Sequence, residues 1–347
     1  MDLNKLLAFN QLVIDKSEDE KESLALALNI DYEEYKKRIV GKEKEADFII
    51  ILKSLEVLKH FEAYDEGLSH ITGEYTPDFK IEMCDGYEML LEVKHTDKKE
   101  YKISLGNLQK RKNFADRQVL PLMFAISIKG FWGLFTVETL LEKGGKVTID
   151  DFLGENASSL LDNRLATCSY LFKKPVKIRS VYSTNHAKGM GIEFEPYGEL
   201  ISYELYYDDK RIFKAKGKES RYILHTIYLE ALHDRVANIS QDIKQNGDVT
   251  VITEYTDKAV PIFIPEYEFL LSPIKHLCKE INSKKINYNS QLAISEHEFN
   301  YLSVYGLRAI LSELVNSGLD IYVFKRNYGY MFKDYAKNYW NISSSSK

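Results

Sequence analysis

Hydrophobic positions recur in two rhythms along this chain, and the change between them sets its outline. Over Ala46 to Lys59, Phe48, Leu52, Leu55 and Leu58 fall three or four apart, which predicts a helix with one inward stripe. Glu45 lies three residues before Phe48 on that stripe, so a carboxylate is aimed at the core. From Thr76 to Ile128 the pattern reads strand, tight turn, strand, helix, strand, and the last strand, Leu122 to Ile128, is apolar enough for burial on both faces. Ser104 to Gln118 supplies the helix, with Leu105, Leu108, Ala115 and Val119 on one stripe. An α/β unit with a right-handed crossover is expected.

On either side the texture differs. Residues 1–40 read as a helical lead-in, with charged runs around the apolar stretch Leu24 to Ile30. Residues 41–150 hold the α/β domain. Over 151–285 short strands appear at Val176 to Tyr182, Gly191 to Glu195 and Leu200 to Tyr207. A long helix follows near Arg221 to Lys244, stopped by Asn246-Gly247, and then a strand at Asp248 to Tyr255, so a second, α+β domain is expected. Residues 286–347 give a helix, Leu302 to Asn316, closed by Gly318, and a hairpin from Leu319 to Phe324 and Tyr328 to Phe332. That is the order of a winged helix, and equally of a core helix packed on a hairpin.

The turn inside the α/β unit decides where its charges go. Cys84-Asp85-Gly86 suits a three-residue hairpin loop with Gly86 in the left-handed region. It pairs Met83 with Tyr87, Ile81 with Met89 and Phe79 with Leu91, making one face wholly apolar. On the other face Asp78 stands across from Glu92, and Lys94 points the same way. A two-residue turn at Asp85-Gly86 would mix charge into both faces. Two carboxylates about 4 Å apart repel by roughly 4 kcal/mol at an effective dielectric near 20 and so want a cation between them. Oxygen-only donors favour Mg2+ or Mn2+.

Composition moves the picture little. With 347 residues, 44% of them hydrophobic, the chain can bury a sizeable core, and its net charge of −5 leaves nucleic-acid binding to local patches. One such patch runs from Lys94 to Arg117, eight basic residues against three acids, beside the candidate acids. Within it Gln109, Lys110, Arg111 and Lys112 are candidate nucleic-acid contacts. Cys84, Cys168 and Cys278 form no CxxC pair, which disfavours disulfide or zinc frameworks. His225 and His233 sit eight apart and do not surround one ion; Tyr203, Tyr206 and Tyr207 read first as strand packing and second as stacking platforms. A glycine-rich phosphate loop and a GxSxG elbow are both missing, which leaves ATP and serine-hydrolase chemistry without support. The N-terminus lacks a continuous apolar run and no stretch approaches the roughly 18 residues of a membrane span, so a cytoplasmic chain with no membrane partner is expected.

Pro77-Asp78, a hairpin, and then Glu92-Val93-Lys94 resemble the PD-(D/E)XK nuclease superfamily, which includes restriction endonucleases and archaeal-type Holliday junction resolvases. The resemblance covers residues 43–140. It implies a restriction-endonuclease-like mixed sheet flanked by helices, and a metal-dependent endonuclease hydrolysing DNA, in a setting such as restriction or mobile-element defence. By the same resemblance Asp78, Glu92, the Val93 backbone carbonyl and Glu45 bind Mg2+ or Mn2+, and Lys94 assists catalysis. DNA is the partner it favours, with a homodimer left open. Junction-resolving or RNA-cleaving enzymes share such a core, and a different class of protein, a non-catalytic nucleic-acid-binding or assembly protein on an inactive nuclease fold, stays beside them.

Overall fold

The computed structural model describes residues 3–13, 16–64, 75–153, 157–185, 189–190, 193–194, 196–216, 228, 239–256, 262–271 and 303–324. These fall into two compact units, one ending at Ala166 and one beginning at Thr167.

Unit 1 opens with three helices: α1 (Leu3–Val13), α2 (Glu18–Ala27) and α3 (Tyr32–Ser54). Ser17 and Glu20 close a capping box on α2, and Asp31 caps α3 by accepting from the Glu34 amide. Leu6, Phe9, Val13, Ala25, Ile30 and Tyr35 form a small core between them. The expected boundary at residue 40 falls inside α3, a single 23-residue helix. The helix expected to reach Lys59 ends earlier. Glu56 turns to a φ of 58°, and Leu58 already begins strand β1 (Leu58–Ala63).

The sheet that follows adds β2 (Phe79–Met83), β3 (Glu88–Thr96), β5 (Leu122–Ile128) and β6 (Phe131–Thr136) in the order β1-β2-β3-β5-β6. A short β4 (Glu100–Lys102) pairs instead with β7 (Lys146–Thr148). Only β3 and β5 run parallel, and α4 (Leu105–Gln118) connects them; neighbours elsewhere in this sheet are antiparallel. The fold is therefore mixed α/β, a mixed sheet flanked by helices. β5 is buried at every position, as its apolar run, broken only by Ser127, requires. The helix stripe is narrower than periodicity alone suggests. Leu108, Phe114 and Ala115 are buried, whereas Leu105 and Val119 stand in solvent. Val119 takes a left-handed φ of 57° as the C-cap and leaves the stripe.

Unit 2 is dominated by an antiparallel sheet of β9 (Val176–Ser183), β10 (Glu193–Phe194), β11 (Gly198–Tyr207), β12 (Lys210–Lys216), β13 (Ile239–Asn246) and β14 (Val249–Thr256). The segment 239–244, expected as the end of a long helix, is strand. Asn246 pairs with Val249 across Gly247-Asp248, and Gly247 has a φ of 62°, so the Asn-Gly signal marks a hairpin and not a helix stop. The rest of that expected helix, save Tyr228, and both His225 and His233 lie outside the described residues.

A second sheet orders β15 (Ile262–Pro265), β8 (Ser169–Phe172) and β16 (Ile321–Phe324). The helix before β16 spans Val304–Asn316 and ends at Gly318, whose φ is 112°. β16 pairs with β8; the second strand of the expected hairpin, 328–332, lies outside the described residues. Among the described residues no helix is long and apolar enough to cross a membrane.

Candidate active site

The β2–β3 hairpin adopts the register of a three-residue loop. Gly86 has a φ of 82°, the Met83 amide donates to the Tyr87 carbonyl, and Phe79 pairs with Leu91, Ile81 with Met89. Continued by one residue, that register sets Asp78 across from Glu92. Pro77, which offers no N–H and holds its predecessor extended, leads into the strand. The Asp78 carboxylate accepts from the Val93 amide at 2.7 Å, so its place is fixed by the strand that carries Glu92 and Lys94.

Lys94 Nζ lies 2.7 Å from Glu92 Oε1 and 3.7 Å from Asp78 Oδ2. Both carboxylates are buried, and β3 has a neighbour on each side, β2 and β5. Burial first, then the Glu92 charge, pushes the Asp78 carboxyl up to about 7, with Glu45 adding to the repulsion; Lys94 and the Val93 amide pull the other way. Burial pushes the Lys94 ammonium down, but Glu92 and Asp78 outweigh it and the net direction is up. Lys94 keeps its proton, and Asp78 carries charge that its neighbours oppose.

The other candidates are placed as follows. Glu45 on α3 is mostly buried, pairs with Lys42 at 2.9 Å, and is close enough to act on Asp78. Arg111 reaches the site: its Nε and Nη2 donate to Glu92 Oε1 at 3.2 and 3.1 Å. Lys112 does not. It pairs with Asp116 at 2.9 Å and Glu138 at 3.5 Å. Gln109 donates to Asn113 on the exposed surface of α4, and Lys110 is exposed beside it. Val93 donates its amide to Asp78 and stands in register with Ala125 of β5.

Two tyrosines complete the cluster without having been singled out in the sequence. Tyr75 donates its hydroxyl to Glu92 Oε2, lies under the Arg111 guanidinium at 4.5 Å and meets Phe114 edge-on. Tyr101, pushed up by burial, lies within the fields of Lys94, Glu92 and Arg111. Spacing carries a signal for Arg111, since Leu108, Arg111 and Phe114 are three apart and share a helix face. Tyr75 stands three residues before Asp78 in the same extended lead.

No family model matches the chain, and no curated protein matches it. Among solved structures, a Holliday junction resolvase of Archaeoglobus fulgidus is similar at 18% identity, over 32% of this chain and 91% of that one, with a TM-score of 0.25. A likeness of that size leaves the chemistry to be read from the side chains.

Among the described residues no group of three or more His, Cys, Asp or Glu is spaced to hold a metal ion. The donor set nonetheless fits Mg2+. That ion commonly takes one or two carboxylates and keeps several waters, and Asp78 and Glu92 are two hard oxygen donors on adjacent strands. Burial first and the Glu92 charge second push the Asp78 carboxyl up, and Lys94 and the Val93 amide do not offset them.

Proposed function

We propose that unit 1 is a divalent-metal-dependent endonuclease that hydrolyses DNA phosphodiester bonds, with Asp78, Glu92 and Lys94 as its catalytic residues. One observation carries this reading: two buried carboxylates and a protonated lysine converge from adjacent strands, and the carboxyl of Asp78 is destabilised as an anion there. Asp78 and Glu92 would hold Mg2+ or Mn2+, with the Val93 carbonyl and Glu45 as further oxygens. When bound, such an ion supplies Lewis-acid neutralisation of the phosphate and a more acidic water. Lys94, charged at neutral pH, acts as an electrostatic group that steadies charge developing on the phosphate oxygens, not as a base. Tyr75 and Arg111 fix the Glu92 carboxylate, and exposed Lys110 and Gln109 offer phosphate contacts.

The direct contacts of Lys94 and Arg111 with Glu92 favour a second reading, an inactive nuclease fold that binds nucleic acid. Incubation with supercoiled, linear, branched and single-stranded DNA, and with RNA, in Mg2+ separates the two. Cleavage stopped by chelator and by Asp78→Asn is the expected result. A protein that binds these substrates but neither cleaves them nor binds Mg2+ or Mn2+ supports the second reading.

A further inference from the structure

The large sheet of unit 2 has two unlike faces. One is apolar and buried, through Ile178, Tyr203, Leu205, Tyr207 and Ile252. The other is set by the strand registers. Arg211 pairs with Tyr206, Tyr206 with Lys177, and Lys177 with Tyr255, so cations and tyrosines alternate across four neighbouring strands. The adjoining row runs Lys214, Glu204, Arg179 and Thr253 by the same pairings. Neighbouring strands lie about 4.8 Å apart, so each row is a line of closely spaced side chains.

Glu204 organises this face. Its carboxylate is buried, and Lys214, Arg179 and Arg211 approach it at 2.7, 3.2 and 3.5 Å with their own side chains 43%, 39% and 51% exposed. The Tyr206 hydroxyl donates to it at 2.8 Å. One acid thus aims three cations and leaves them in excess. Lys177 covers the Tyr206 ring at 4.5 Å and also pairs with Asp209 at the turn, whereas Tyr255 is 43% exposed. Excess positive charge on an open sheet face calls for a polyanion, and an exposed ring in the adjacent row adds a surface for an unstacked base, which a duplex does not present.

We propose that this outer face binds single-stranded nucleic acid, with Tyr255 stacking on a base and Arg179, Arg211 and Lys214 holding phosphates. The surface stands apart from the nuclease reading and is tested without cleavage. Full-length protein in chelator is titrated, by fluorescence anisotropy, into labelled oligothymidylate of about twenty nucleotides, its RNA equivalent, an abasic strand of equal phosphate count, and a duplex.

Oligothymidylate should bind about tenfold more tightly than the abasic strand. Tyr255→Ala should remove that difference and Tyr255→Phe should keep it. Arg211→Ala with Lys214→Ala should weaken binding to both strands and flatten the salt dependence. These side chains are exposed, and an unchanged melting temperature for each variant certifies the fold. Equal affinity for the base-bearing and abasic strands, duplex preferred to single strand, or indifference to Tyr255→Ala each overturns the proposal.

Discussion

Glu92 in unit 1 and Glu266 in unit 2 each hold a tyrosine hydroxyl and an arginine, but Glu92 adds a lysine and a second acid beside it. Glu92 takes a tyrosine hydroxyl from Tyr75, an arginine from Arg111 and an ammonium from Lys94. Glu266 takes the Tyr170 hydroxyl at 2.7 Å and both arms of Arg308 at 2.8 and 2.9 Å, with the Cys168 amide and Thr167 hydroxyl behind. Around Glu266 the donors close on a single carboxylate, and the Cys168 thiol is pushed up to about 12, by burial first and by Glu266 second. Beside Glu92 stands Asp78, and there the donors fall short. A buried carboxylate with tyrosine and arginine partners is thus no mark of a reactive site. What the proposed site adds is a second acid opposed by its surroundings.

The largest effect that sharpens this contrast is on cleavage. Asp78→Asn, Glu92→Gln and Lys94→Ala should each lower Mg2+-dependent cleavage by roughly a thousandfold with the fold intact, as is typical when a charge aimed at the transition state is lost. Glu266→Gln should leave the specific activity of the folded protein within about twofold. Equal losses at the two glutamates would erase the distinction.

Stability should divide the other way. Arg308→Ala leaves Glu266 buried without its fork, and urea unfolding should show a loss of about 3 kcal/mol, the low end for a broken buried pair because Arg308 is partly solvated. Arg111→Ala should cost less, since Lys94 still faces Glu92.

Asp78 gives a pH test with a definite sign. A carboxyl raised in the folded state from 3.8 to about 7 favours folding below pH 4, and that contribution is lost as pH rises through 7. Without metal, wild-type protein should lose roughly 4 kcal/mol from this group across that window, and Asp78→Asn should flatten the profile. Added Mg2+ should raise the melting temperature more at about pH 8 than at about pH 6, because proton and ion compete for the same oxygens.

The smallest effect concerns α4. Lys110→Ala should weaken duplex binding by about twofold to threefold and slightly reduce its salt slope, whereas Lys112→Ala, already tied to Asp116 and Glu138, should change it less.

The register of the hairpin was legible because alternation and the Asp85-Gly86 turn are both local, and together they dictate which residues face one another. The largely apolar β5 and the helix from Ser104 to Gln118 were legible for the same reason. The nature of 239–244 was not: Ile239 to Asn246 has no strong period, and pairing with β14 decides it. Tyr75 and Arg111 are far apart in sequence and meet only in the fold, ring against guanidinium beside Glu92. Lys112 read as a site residue because helical periodicity places a side chain on a face without saying which neighbour its long stem will reach.

Helix α3 ties together two places that look unrelated in sequence. Its first turns carry Tyr35, wedged edge-on against Phe9 and bonded to Asn10, and ten residues on it carries Glu45 beside Asp78. At 1.5 Å per residue these points are about 15 Å apart on one unbroken rod. The lead-in helices are therefore the anchorage of a strut whose far end bears on the acids. Shortening the chain to begin at residue 41 would cut that strut mid-span, strip its Asp31 cap and leave Glu45 on a fraying end.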